Sequence, residues 1–135
     1  MKCHSFDGAG GAVGPDLTSV GNKFSVEDIL EAIIDPNKVI SDLYGSSIVT
    51  LNNGTVHQGI VINNSGSKEE GEMNIYTSDP EAEPILVKTV DVKSIEVSKV
   101  SQMPEGQADF LNKDELLNLL AYLLSQGNPD ASYFK

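Results

Sequence analysis

Apolar positions set the first boundary along the chain. Between Ser25 and Asp35, Ile29, Leu30, Ile33 and Ile34 fall on one stripe at helical spacing. Ser25 is a suitable N-cap with Asp28 at the reciprocal capping-box position, and Pro36 stops the run. The spacing predicts a short amphipathic helix. From about residue 46 the period falls to two: Ser47 to Leu51, an Asn53-Gly54 turn, then Thr55 to Ile62 read as a hairpin. Further strands are expected at Met73–Thr77, Ile85–Thr89 and Val92–Val97. The polar stretch Ser65–Glu72 and the Pro- and acid-rich stretch Ser78–Pro84 read as exposed loops. Helical spacing returns after Asn112, an N-cap with Glu115 at the box position. There Leu116, Leu117, Leu119, Leu120, Leu123 and Leu124 form a broad apolar surface, and Gly127 and Pro129 end it. A helix so apolar needs more than one covering partner.

Composition narrows the function classes. The 135 residues are 39% hydrophobic and carry nine basic against 20 acidic side chains, a net charge of -11. Nucleic-acid binding is excluded on that balance, because nonspecific affinity comes from cations neutralising phosphates. Every basic residue is a lysine, so no guanidinium fork exists to clamp phosphate and phosphoryl transfer is a poor candidate. No apolar run reaches the roughly 18 residues of a membrane span. Cys3 is the single cysteine, which excludes an internal disulfide and a cysteine-rich zinc site. Asp7, Asp16 and Asp28 show no paired-carboxylate pattern and read as solvated groups or caps.

Cys3 is followed directly by His4. In the C-x-x-C-H attachment motif two thioethers tether haem while the adjacent His ligates iron; here the second cysteine and the His are present. Alone, the dipeptide is weak evidence. It is followed by a glycine-rich run, Gly8 to Gly14, then Pro15-Asp16-Leu17-Thr18 and Val20-Gly21, with Ser101-Gln102-Met103-Pro104-Glu105-Gly106 and Leu120-Ala121-Tyr122-Leu123 much later. In this order the words resemble class I c-type cytochromes. More closely, the chain is similar to the haem-binding C-terminal domain of large planctomycete-type bacterial proteins.

The resemblance implies a mainly α cytochrome c-like core, residues 1–45 with 101–135, split by an inserted small antiparallel β module, residues 46–100 (α+β overall). It implies haem c as cofactor, Cys3 as a tether, His4 as proximal and Met103 as distal ligand. It also implies that the Pro15 carbonyl orients His4, and that Leu17 with Val20, Phe24, Ile29, Ile33, Leu119, Leu120 and Leu123 supplies an apolar wall. Lys23, Tyr44 and Lys99 are candidates to hold the propionates. His57, mid-strand, reads as solvent-facing and is the only other imidazole; Met1 and Met73 are poorer rivals to Met103. Without the Cys-His pair, Met103 would read as an ordinary buried methionine and the glycine run as a linker.

Class I cytochromes carry a helix ahead of the motif, and here only Met1 and Lys2 precede Cys3. Truncation is preferred over attachment through one thioether or absence of haem, and self-association through the apolar C-terminal helix is expected. The implied function is electron transfer by an extracytoplasmic or periplasmic module that is no catalyst in its own right. It would serve a fused dehydrogenase or a partner with a basic docking surface. The alternatives are a non-redox module binding protein or glycan through the sheet, and a haem sensor with an open distal site.

Overall fold

A computed structural model describes residues 2–42, 44–63 and 71–134. The chain divides into two compact units, Met1–Val39 with Met103–Lys135 (the terminal unit) and Ile40–Gln102 (the sheet unit).

The terminal unit begins with a two-stranded hairpin, β1 (Ser5–Phe6) and β2 (Ala9–Gly10), registered Ser5 to Gly10 and Phe6 to Ala9. Its two-residue turn is Asp7-Gly8, with φ of 49° and 76°. Left-handed backbone at both positions defines the turn whose twist matches paired strands, and Asp-Gly suits it. α1 (Val20–Lys23) follows, then α2 (Val26–Ile34), whose Ser25–Asp28 capping box is closed in both directions. α3 (Lys113–Leu124) has the same device in Asn112 and Glu115. α3 ends where Gln126 and Gly127 turn left-handed, with the Gly127 amide donating to the Tyr122 carbonyl at 3.1 Å. Phe6, Ile29, Leu120 and Leu123 form the buried centre, surrounded by Leu17, Val20, Leu30, Ile33, Leu116, Leu119 and Leu124. Each fully buried side chain of this size contributes about 1.5–3 kcal/mol. α1 and α2 both pack on α3. Gly21 makes the first contact feasible, since a Cβ there would stand 2.7 Å from Leu124 Cα.

In the sheet unit, β3 (Ser47–Leu51), β4 (Val56–Asn63), β5 (Glu72–Tyr76), β6 (Ile85–Lys88) and β7 (Val92–Val97) pair antiparallel in the order β6-β5-β4-β3-β7. Strict alternation puts Val49, Met73, Ile75 and Val87 on one face, where they are buried with Leu51, Val61, Ile85 and Val92 around them. β7 returns to pair with β3, so the chain leaves the sheet beside the point where it joined. There the Ser98 amide donates to the Ser46 carbonyl at 2.9 Å. The Gln58 amide nitrogen lies 3.1 Å from Ser98 Oγ and 3.4 Å from Ser46 Oγ, and Ser46 Oγ donates to the Val100 carbonyl. These buried hydroxyls are therefore satisfied, as a dry site requires.

The expectation of a mainly α cytochrome c-like core is overturned. Among the described residues the fold is mostly β, with seven strands in two antiparallel sheets and three α-helices. Two physical reasons account for the difference. Residues 5–10, for which no strand was expected, pair as a hairpin through the Asp7-Gly8 turn, and this hairpin contributes Phe6 to a core expected to be helical. The helices are also short, with four residues in α1, nine in α2 and twelve in α3. The 78–84 loop is exposed apart from half-buried Thr77 and Pro84 at its edges; most of the loop expected at 65–72, and Met1, lie outside the described residues.

Candidate haem-attachment site

Backbone pairing assembles the surroundings of Cys3-His4. The Cys3 carbonyl accepts from the Gly14 amide at 2.7 Å, the His4 carbonyl from Gly11 at 3.1 Å and the Ser5 carbonyl from Leu17 at 2.9 Å. The glycine run therefore folds back along residues 3–5. Gly14 is the critical position: a Cβ there would stand 2.6 Å from His4 Cε1 and 2.7 Å from Nδ1, so the imidazole rests where any other residue would hold a methyl. Gly11 similarly makes room for the Lys2 carbonyl.

His4 Nδ1 lies 2.8 Å from the Pro15 carbonyl oxygen. A carbonyl only accepts, so Nδ1 donates, and a neutral ring then keeps its lone pair on Nε2. Metal-ligating histidines are held in this way, with the second nitrogen fixed by a backbone carbonyl. Cys3 beside it is a free thiol, partly exposed.

A second bracket braces the Pro15 loop. The Asp16 carboxylate accepts from Ser5 Oγ at 2.6 Å and from the Thr18 amide at 2.9 Å, while Thr18 Oγ1 accepts from the Asp7 amide at 2.8 Å. The Ser5 hydroxyl first, then the Thr18 hydroxyl and amide, hold the Asp16 carboxyl below the usual carboxylate range. Sequence reading left Asp16 to solvent or a cap. The missed signal is Asp16-x-Thr18, where an aspartate oxygen reaches the amide two residues on.

The remaining candidates separate. Leu17, Val20, Ile33 and Leu119 pack around the terminal core, and Ile29, Leu120 and Leu123 are buried in it, whereas Phe24 is 55% exposed. Met103 is half-buried and belongs to the same unit as His4, just before a left-handed Gly106 and a 3-10 turn at Gln107–Phe110. Lys23 is in the terminal unit; Tyr44 and Lys99 belong to the sheet unit. Met73 is 2% exposed in the sheet core. His57 pairs directly with fully buried Val49 and is itself half-buried, so it shares the core-side face instead of facing solvent.

Among the described residues no group of three or more His, Cys, Asp or Glu side chains could hold a metal ion. A haem brings its own in-plane nitrogens and asks the protein only for axial ligands and tethers; the His4 imidazole and Cys3 thiol fit one of each. No protein-family model matches the chain, and no curated protein matches it. No helix among the described residues is long and apolar enough to cross a membrane.

Proposed function

We propose that the terminal unit carries a c-type haem and that the chain is an electron-transfer module. The observation that carries this reading is the His4 Nδ1 to Pro15 carbonyl bond over Gly14, which fixes the ring and leaves Nε2 as the ligating atom. When bound, the haem supplies a one-electron ferric/ferrous couple. His4 would be its proximal ligand and Cys3 its thioether tether. Met103 is the distal candidate on resemblance, and its thioether favours the reduced state and raises the potential. Leu17 and the apolar side chains around it would keep water away.

Further parts of the reading follow from this one. Attachment of haem c places the protein outside the cytoplasm, and the net charge of -11 favours a basic redox partner or a fused dehydrogenase presenting lysines or arginines. Leu117, 52% exposed on α3, is an apolar position through which two copies would associate. The module shuttles electrons and turns over no substrate of its own.

The test is expression of the chain with haem-maturation machinery, followed by spectra under reducing and oxidising conditions. Sharp α and β bands in a form that survives denaturation support attachment; the pyridine haemochrome distinguishes one thioether from two. Loss of the weak long-wavelength ferric band in Met103→Ala supports thioether ligation, and its persistence assigns another ligand. A colourless protein refutes the proposal.

A further inference from the structure

The terminal unit has an open hollow of about 420 Å³, within the range of about 300–1,000 Å³ typical of ligand sites. Its wall includes Phe6 and Tyr122, whose ring centroids are 4.8 Å apart at an interplanar angle of 33°. Gly127 keeps it open: a Cβ there would stand 3.2 Å from Phe6 Cε1 and 3.5 Å from Tyr122 Oη.

The polar side chains of the hollow, Asp7, Gln126 and Tyr122, each offer an acceptor. Asp7 lines it, and among the described residues its carboxylate has no lysine partner. Gln126 lines it too and uses its amide nitrogen to donate to Asn22 Oδ1 at 3.0 Å, which leaves the amide oxygen as an acceptor. The Tyr122 hydroxyl adds another acceptor. Among the described residues no lysine or histidine lines the site. An aromatic face beside a carboxylate, in a chain of net charge -11, suits a flat organic cation.

We propose that this hollow receives an arginine side chain from a protein partner. Guanidinium stacks on an aromatic ring and offers two parallel N–H groups to a carboxylate, which a lysine ammonium cannot do. The chain contains no arginine, so an arginine in the hollow must come from a different protein. The site does not depend on haem and stands apart from the redox reading.

The experiment is an NMR titration of the ¹⁵N-labelled full chain with acetyl-Gly-Arg-Gly amide, run in parallel with the lysine and citrulline peptides. The arginine peptide is expected to give saturable shifts at the amides of Asp7, Tyr122, Gln126 and Gly127, with a dissociation constant of about 1 mM. The lysine peptide should bind several-fold more weakly, and the uncharged citrulline peptide should not bind. Asp7→Asn removes the charge while keeping a residue that accepts the left-handed turn, φ 49°, and should weaken binding roughly tenfold. Equal binding of citrulline, unchanged affinity in Asp7→Asn, or the absence of saturable shifts at these amides overturns the proposal. Retention of the β1–β2 turn resonances in the variant shows that a loss of affinity is not a loss of fold.

Discussion

Replacing Gly14 with Ala isolates the contact on which the histidine geometry rests. Gly14 is not among the residues with left-handed φ, so its backbone accepts alanine, and a Gly-to-Ala change at an unobstructed position stabilises by about 0.4–1 kcal/mol through the unfolded chain. Here the new methyl would stand 2.6 Å from His4 Cε1 and 2.7 Å from Nδ1, where ordinary contact begins at 3.4 Å. The ring must move by roughly 0.8 Å, enough to stretch or bend the 2.8 Å bond to Pro15. Overpacking of this kind costs about 1–3 kcal/mol and a lost hydrogen bond about 0.5–1.5 kcal/mol. Offset by the unfolded-state gain, the net expectation is a loss of about 1–3 kcal/mol in the terminal unit. Urea midpoints read from terminal-unit amide resonances measure it, and long-range ¹H–¹⁵N spectra of the imidazole report whether Nδ1 keeps its donor role. A neutral or stabilising effect, with the imidazole signals unchanged, would refute the claim that the ring lies on Gly14.

Three other outcomes follow from the same unit. Gly21→Ala drives a Cβ to 2.7 Å from backbone atoms of Leu124, which cannot rotate away, so a loss of about 2 kcal/mol or more is expected in thermal or urea unfolding. Asn112→Ala removes the oxygen that accepts from the Glu115 amide, one half of the α3 capping box, and should cost about 1 kcal/mol, with fraying visible in amide exchange of the first turn. The depressed Asp16 pKa gives stability that is fully present above the ordinary aspartate value of about 3.9 and is lost as pH falls through the lower folded value. Asp16→Asn should therefore flatten the acid limb of terminal-unit stability, and an unchanged limb would show that Ser5 and Thr18 do not hold the carboxylate.

The five long strands and the two longer helices were legible because each carries a local signal: period-two alternation around Val49, Ile75 and Val87, and two capping boxes that close as their spacing requires. The N-terminal hairpin was legible in principle, since Asp7-Gly8 is a strong turn pair, but strands of two residues offer no alternation to count. Fold class was misjudged for a related reason. Helical periodicity over nine and twelve residues was extended to a whole core that a loop and a hairpin help to close. At the site, the words Cys-His and Gly-Pro single out two short stretches, yet nothing in them states that Gly14 lies beneath the imidazole or that Asp16 ties Ser5 to Thr18. Those are meetings between segments, set by backbone pairing that depends on the turn.

The pinch at Ser46 and Ser98 bears on the order in which the protein folds. β3 through β6 form a meander of neighbours in sequence, and low sequence separation favours early formation. Once β7 has paired with β3, the two ends of the sheet unit stand one hydrogen bond apart. To the separated halves of the terminal unit, a loop of about sixty residues has then become a short hinge, which lowers the entropy of closing them by roughly 2 kcal/mol. The expected order is sheet before helices: pulsed hydrogen exchange should find β3 and β4 amides protected before those of α3.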